Sequence, residues 1–362
     1  MIKELSIDIV GYILVCKTIL NESVTGNNEF AFYVFRNGQR VHTVWYTKRA
    51  DFEFDTENIP GIYKIQVFVK FDENSTETVS SSLIFMNPIE VSLDSFSGIE
   101  NQVACLLKGE FWNIPAFYCH SENKVLFVMM PSAINREKAI LPIFSRWTWA
   151  LKGMIAGNVL CIADPTLNLH NELKLGWCIG DATHDATTEI AKFVVKLAKF
   201  NNIPNNKIVI YGSSAGGFAA LALSAFIEGS IAVAINSQTD ALAYESSKQV
   251  ALICQCCFEN MQEDTIRLCF SDRVNMVSRW KNINVSRVFM VQNTLDGHHW
   301  EKHYQPFAKA MGLPLKSGIS KDGRHRSLIY DDPRGHIPES PEIFVEIMRN
   351  INEMLNDDTA VQ

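Results

Sequence analysis

Lys207-Ile-Val-Ile-Tyr-Gly-Ser-Ser-Ala-Gly-Gly-Phe-Ala-Ala-Leu-Ala-Leu-Ser-Ala-Phe226 is the stretch whose reading decides the fold. Lys207 to Tyr211 is a short β-branched run of the kind that makes a buried strand. Phe218 to Phe226 are mostly strong helix formers with no breaker among them. Between the two, Gly212-Ser213-Ser214-Ala215-Gly216 fits G-x-S-x-G, a strand-to-helix turn that lifts a serine clear of the backbone. The turn is so sharp that only small residues fit beside the serine. Gly212 and Gly216 supply that room, and Gly217 lets the helix lie close to the sheet. Ser214 then stands at a helix N-terminus, where the dipole and the N–H of Ala215 stabilise negative charge on a nearby oxygen. The competing reading is a glycine-rich turn that binds phosphate or only packs. A histidine and an acid elsewhere in the chain decide between the two.

Composition bounds the rest. The 362 residues suffice for one large domain or two ordinary ones. With 47% hydrophobic and 20% charged residues, the chain has the make-up of a soluble globular protein with a sizeable core. A net charge of −7 argues against a nucleic-acid partner, which calls for a basic face. No apolar run reaches the roughly 18 residues of a membrane span. The opening Met1-Ile-Lys-Glu-Leu-Ser-Ile-Asp8 carries acids inside its first apolar stretch and lacks a signal-peptide pattern. Nine cysteines show no repeated spacing, as expected of reduced thiols, so a cytoplasmic location is expected. No pattern fixes an oligomeric state.

Residues 1–92 read as an all-β accessory domain. Phe30–Phe35 and Val41–Tyr46 flank Asn37-Gly38, a pair that favours a tight hairpin. After Pro60-Gly61, Tyr63, Ile65, Val67, Val69 and Phe71 alternate with Lys64, Gln66 and Lys70, Phe68 being the apolar exception on the polar face. Short strands between turns suggest an immunoglobulin-like sandwich. Its aromatics serve either as core or as a platform for sugar rings. Residues 98–362 switch to strands alternating with helices, the signature of a mostly parallel sheet. Its strands are Ala116–Cys119 and Val125–Met130 around a turn, Asn158–Ala163, Lys207–Tyr211, Ile231–Ile235, Val288–Val291 and Ser327–Tyr330. Amphipathic helices are expected at Thr188–Phe200 and Pro341–Leu355.

In an α/β-hydrolase fold the nucleophile, acid and histidine follow in that chain order, the last two beyond late strands. Asp296 lies just past Val288–Val291, and His336 just past Ser327–Tyr330. Ser214 is then the nucleophile, His336 the general base and acid, and Asp296 the group that holds the imidazole in its useful tautomer. Asp240 is the alternative acid, its bland reading being a helix N-cap. His299 and His303 fall at the i, i+4 spacing of a metal pair, but Trp300 stands where zinc hydrolases carry Glu, so no metal is expected. His298 and His299 are instead expected to line the mouth of the site. The second oxyanion N–H is expected from Ser132 or Ala133, in the loop after Val125–Met130. Arg146, among tryptophans, either meets an anionic substrate or is a stacked structural cation.

The segments Ala163-Asp-Pro-Thr-Leu167, Gly176-Trp177, Gly212–Gly217, Ala234-Ile-Asn-Ser-Gln-Thr-Asp240 and Asn293-Thr-Leu-Asp-Gly-His-His299 together resemble bacterial serine α/β-hydrolase-like proteins of surface-polysaccharide loci. That group is similar to capsular polysaccharide O-acetyltransferases. The resemblance spans about residues 98–345 and implies an acyl-enzyme on Ser214, with acetyl moved from acetyl-CoA to a sugar hydroxyl. No cofactor is expected to stay bound, and no obvious basic cluster awaits the CoA phosphates. The expected partner is a glycan or a small ester. Hydrolysis by a carboxylesterase or glycan deacetylase shares the same intermediate. A glycan-binding protein without catalysis is the third reading.

Overall fold

The computed structural model describes residues 2–22, 27–71, 75–94, 96, 98, 102–137, 140–283 and 285–357. Two antiparallel sheets form its N-terminal part. One orders Ile2–Val10, Ile13–Leu20 and Asp51–Asp55. The other orders Gln39–Thr47, Glu29–Arg36, Gly61–Lys70 and Thr76–Ser80, with Ile84–Met86 also paired to Gly61–Lys70. Asn37 and Gly38 take φ of 50° and 76°, which closes the hairpin. Alternation then sorts the side chains. Phe30, Phe32, Val34, Ile65, Val67 and Val69 meet Leu14 and Cys16 in one buried core. The opposite face is not purely polar: Phe68 packs on Tyr33 with ring centroids 4.7 Å apart, and Trp45 stands edge-on to Tyr33 at 6.2 Å.

A ten-stranded mixed sheet follows. From one edge to the other its strands are Gly318–Ile319, Arg326–Tyr330, Arg287–Asn293, Ile231–Ile235, Ile208–Ser213, Leu126–Met129, Asn158–Ile162, Asn113–Cys119, Val103–Lys108 and Ile89–Ser92. The six from Arg326–Tyr330 to Asn158–Ile162 run parallel. Asn113–Cys119 does not pair with Leu126–Met129 across the turn that joins them, because Asn158–Ile162 lies between. Ile89–Ser92, expected with the N-terminal β region, is the far edge of this sheet, parallel to Val103–Lys108.

Period two decides which side chain meets which layer. Leu126, Val128, Ile208 and Ile210 face the helix Ala186–Phe200, while Phe127, Met129, Val209 and Tyr211 face the helix Pro341–Asn356. Asp185 starts the first helix by accepting the Thr187 N–H at 2.8 Å, and Ser340 caps the second through the Ile343 N–H at 3.3 Å. Ile347, Ile351, Met354 and Leu355 bury the apolar stripe of that last helix, each worth about 1.5–3 kcal/mol relative to exposure. Parallel strands carry their C-terminal ends to one edge of the sheet. The loops after Leu126–Met129, Ile208–Ser213, Ile231–Ile235, Arg287–Asn293 and Arg326–Tyr330 therefore meet there. No helix among the described residues is long and apolar enough to cross a membrane.

Candidate active site

Ser214 sits between the strand Ile208–Ser213 and the helix Ala215–Ser224 at φ 54° and ψ −121°, a conformation that costs roughly 1–3 kcal/mol. The neighbours make that turn possible. A Cβ on Gly212 would come within 2.0 Å of the Gly216 carbonyl oxygen, and one on Gly217 within 2.6 Å of Ser237 Cβ. Glycine is the residue that fits both places.

The expected residues converge on this serine. His336 Nε2 lies 2.9 Å from Ser214 Oγ, and His336 Nδ1 lies 2.5 Å from Asp296 Oδ2. Asn293, fully buried, ties the two loops that supply them. Its side-chain oxygen accepts from Leu295 N–H at 3.1 Å and Asp332 N–H at 2.8 Å, and its amide donates to the Asp332 and Gly335 carbonyls at 2.8 and 2.9 Å. Burial works to raise the Asp296 carboxyl, but N–H groups of His299 and His336 outweigh it and hold it well below the usual carboxylate range. Asp240 is elsewhere. It caps a short turn through the Leu242 N–H at 3.0 Å and pairs with Arg267 at 2.6 Å.

His299 is not at the mouth. It is buried at 1% exposure, stacked on His336 at 4.0 Å, and its Nδ1 faces Asp296 Oδ1 at 3.0 Å. Burial depresses its basicity, and the neighbouring His336 acts in the same direction. Its Nε2 is 2.6 Å from Gln238 Nε2, which also reaches Ser214 Oγ at 3.1 Å. Gln238 Oε1 in turn faces Trp177 Nε1 at 3.3 Å. Asp164 fixes the loop that carries Trp177 by accepting the N–H groups of Gly176 and Cys178 at 3.0 and 3.2 Å. His298 Nε2 lies 3.2 Å from the Ala243 carbonyl oxygen. Asp296, His299 and His336 each present one potential metal-ligand atom within 4.8 Å of the others. In the structure both ring Nδ1 atoms are hydrogen-bonded to the carboxylate instead.

Ser214 opens into a cleft of about 430 Å³ lined by Ser132, Ala133, Arg146, Trp149, His336 and Glu339, among others. The Ser132 N–H donates to Ser145 Oγ at 3.1 Å. The N–H groups of Ala133 and Ala215 have no acceptor among the described residues. Arg146 lines the cleft with its charge already matched. Nε and Nη2 donate to the two oxygens of Glu339 at 3.0 and 2.8 Å, Nη2 also reaches Ser213 Oγ at 2.9 Å, and the Tyr211 hydroxyl donates to Glu339 at 2.8 Å. The guanidinium lies 5.1 Å from the Trp149 ring centre. Burial would raise the Glu339 carboxyl, yet Arg146 holds it below its ordinary value.

Gln238 and Trp177 both lie within stretches that carry the resemblance, and only their type, not their partners, could be read there. Glu339 gave no sequence signal, since its partner Arg146 is 193 residues away.

No family model and no curated protein matches the chain. Solved structures do. The capsule O-acetyltransferase of Neisseria meningitidis serogroup A aligns over 72% of this chain and 97% of its own, with a TM-score of 0.52 at 12% identity. The Glycosylation Associate Protein complex from Streptococcus agalactiae aligns over 99% of this chain and 72% of its own, with a TM-score of 0.51 at 12% identity. A puromycin hydrolase aligns over 83% of this chain and 46% of its own, with a TM-score of 0.51 at 12% identity. The likeness is one of fold. The chain has an α/β-hydrolase-like fold with an added antiparallel β region at its N-terminus.

Proposed function

We propose that the protein is a serine enzyme of acyl transfer that moves an acetyl group from acetyl-CoA to a hydroxyl of a surface-glycan precursor. The observation that carries this reading is the chain of hydrogen bonds Ser214–His336–Asp296 at the edge of an open cleft. In the first half-reaction Ser214 Oγ attacks the thioester carbonyl as its proton passes to His336 Nε2. The oxyanion is received by the N–H groups of Ala215 and Ala133; Ser132 is the weaker candidate, its N–H being engaged by Ser145. His336 returns the proton to the departing thiolate, and Asp296 stabilises the imidazolium between the two steps. In the second half-reaction a sugar hydroxyl attacks the acetyl-serine, giving its proton to His336, which passes it to Ser214 Oγ.

The fold, shared with a capsule O-acetyltransferase and with a hydrolase, supports acyl-group chemistry without choosing the acceptor. We read the two N-terminal antiparallel sheets as an immunoglobulin-like accessory domain that holds a chain acceptor. Its outer face supports that role: Tyr33, Phe35, Phe68 and Trp45 cluster there, with Arg40 4.5 Å from the Tyr33 ring centre. Water in place of the sugar makes the same site an esterase or deacetylase. The test is mass spectrometry of a glycan acceptor incubated with the protein and acetyl-CoA. A gain of acetyl that is lost in Ser214→Ala supports transfer. Loss of acetyl from an acetylated glycan, with no gain in the forward assay, makes the protein a deacetylase. Full turnover of p-nitrophenyl acetate by Ser214→Ala removes the serine mechanism altogether.

A further inference from the structure

Five hydrogen bonds around Ser214 close into a ring. Ser214 Oγ meets His336 Nε2, His336 Nδ1 meets Asp296 Oδ2, Asp296 Oδ1 meets His299 Nδ1, His299 Nε2 meets Gln238 Nε2, and Gln238 Nε2 returns to Ser214 Oγ. Gln238, His299 and Trp177 are each exposed by 1% or less, so water does not interrupt their bonds to one another.

The direction of every bond in the ring is fixed from two anchors. An indole nitrogen only donates, so Trp177 Nε1 must face the oxygen of the Gln238 amide, which puts the NH₂ group toward Ser214 and His299. An ionised carboxylate only accepts, so His299 Nδ1 must carry hydrogen toward Asp296. A neutral His299 then has a bare Nε2, which is the acceptor that the Gln238 N–H needs. The second N–H of Gln238 goes to Ser214 Oγ, making the serine oxygen an acceptor on that side. The hydroxyl proton of Ser214 is left to point at His336 Nε2.

We infer that Gln238 is a positioning residue: with its amide locked by Trp177, it aims the Ser214 proton at His336 and, through His299, holds the second oxygen of Asp296. This rests on the serine reading above. It assigns the second histidine of the pair a fixed role as a neutral spacer, with no part in proton transfer. It also explains why a carboxylate with one imidazole to orient has two. The oxygen not used by His336 would otherwise be open to rotation toward solvent, taking the imidazole with it.

The orientation predicts a signature that packing alone does not. At neutral pH the ¹⁵N spectrum of the intact protein should show two histidines protonated on Nδ1 alone, His299 and His336, and His299→Asn should remove one of the two signals. Gln238→Leu keeps the volume and removes both donors; kcat for p-nitrophenyl acetate should fall on the order of 10²-fold with KM unchanged. Gln238→Glu offers only acceptors. His299 should then become doubly protonated between two carboxylates, and kcat should fall at least as far, although Glu is the closer isostere. Trp177→Phe keeps the ring and frees the amide to turn, so kcat should drop several-fold and a second His299 tautomer should appear. This variant serves if Gln238→Leu does not fold. An Nε2–H tautomer of His299 in the parent overturns the inference. So does retention of kcat within about twofold in whichever of Gln238→Leu and Trp177→Phe folds, given the catalytic loss quoted above. Either result with Ser214→Ala inactive leaves the serine mechanism standing, whereas an active Ser214→Ala overturns the mechanism and leaves the tautomer measurement as it was.

Discussion

Replacing Glu339 by Gln tests whether the cleft holds a cation for substrate or a cation already satisfied. Glu339 takes three hydrogen bonds, two from Arg146 and one from Tyr211, and the two charged side chains are 11% and 2% exposed. Breaking a buried pair costs about 3–5 kcal/mol, because the remaining charge stays out of water without its partner. Gln is nearly isosteric and keeps one acceptor for the guanidinium, which recovers about 0.5–1.5 kcal/mol. The expected loss of stability is therefore about 1.5–4.5 kcal/mol. Urea unfolding should show it as a lower midpoint at an unchanged slope. The same variant should gain activity toward an anionic ester such as p-nitrophenyl succinate relative to p-nitrophenyl acetate, because Arg146 then faces the cleft uncompensated. A loss below about 1 kcal/mol, the range of a screened surface pair, would refute the reasoning. So would a marked preference of the parent protein for the anionic ester, which would return Arg146 to a substrate-binding role.

Asp296→Asn should lower turnover by about 10⁴-fold by leaving His336 in the wrong tautomer, whereas Asp240→Asn should act through stability; equal kinetic losses in the two would undo the assignment. Stability should fall as pH drops below about 6.5, the ordinary histidine value. His303 is pushed down to about 3 by burial and then by His299 and His298, and His325 to about 4 by burial and then by Arg324. The unfolded chain therefore binds protons that the folded one refuses, and each ring removes roughly 1.4 kcal/mol per pH unit through that window. A urea midpoint that is flat from pH 6.5 to 4.5 would contradict this. EDTA should leave ester turnover unchanged; a loss restored by zinc would turn Asp296, His299 and His336 from a hydrogen-bonded cluster into ligands. Trp45→Ala should raise KM for a polymeric glycan acceptor and leave p-nitrophenyl acetate untouched, an equal effect on both counting against an acceptor platform.

What could be read without coordinates follows the range of the forces involved. The turn at Ser214 is local: strand, glycines and helix lie within about twenty residues, and backbone sterics dictate the rest. The helix Ala186–Phe200 was likewise visible from its apolar spacing, two residues short at its start because the Asp185 cap precedes the stripe. Strand order was not visible. Short apolar runs mark Ala116–Cys119 and Val125–Met130 as strands, but nothing within them says that Asn158–Ile162 enters between. Ile89–Ser92 lies inside the 1–92 boundary expected from the sequence yet pairs with Val103–Lys108, for the same reason: its four residues carry no mark of their partner.

The site divides along the same line. Chain order and loop position suffice to expect Ser214, Asp296 and His336 together, because parallel strands deliver those loops to one edge whatever the side chains are. The residues that give the three their orientation obey no such order. Gln238 is 61 residues from His299 and 24 from Ser214, and its role depends on which end of its amide faces which neighbour. That choice is made by Trp177, another 61 residues upstream. His299 shows the same limit. Its place three residues after Asp296 put it near the site, yet only the start of a helix at Gly297 turns it back onto the carboxylate and under His336. A spacing of three on a helix means one shared face, whereas in an extended loop it means nearly opposite sides. Reading Asp296-Gly-His-His299 as open loop sent His299 to the mouth; reading it as a helix start would have sent it inward, where it is.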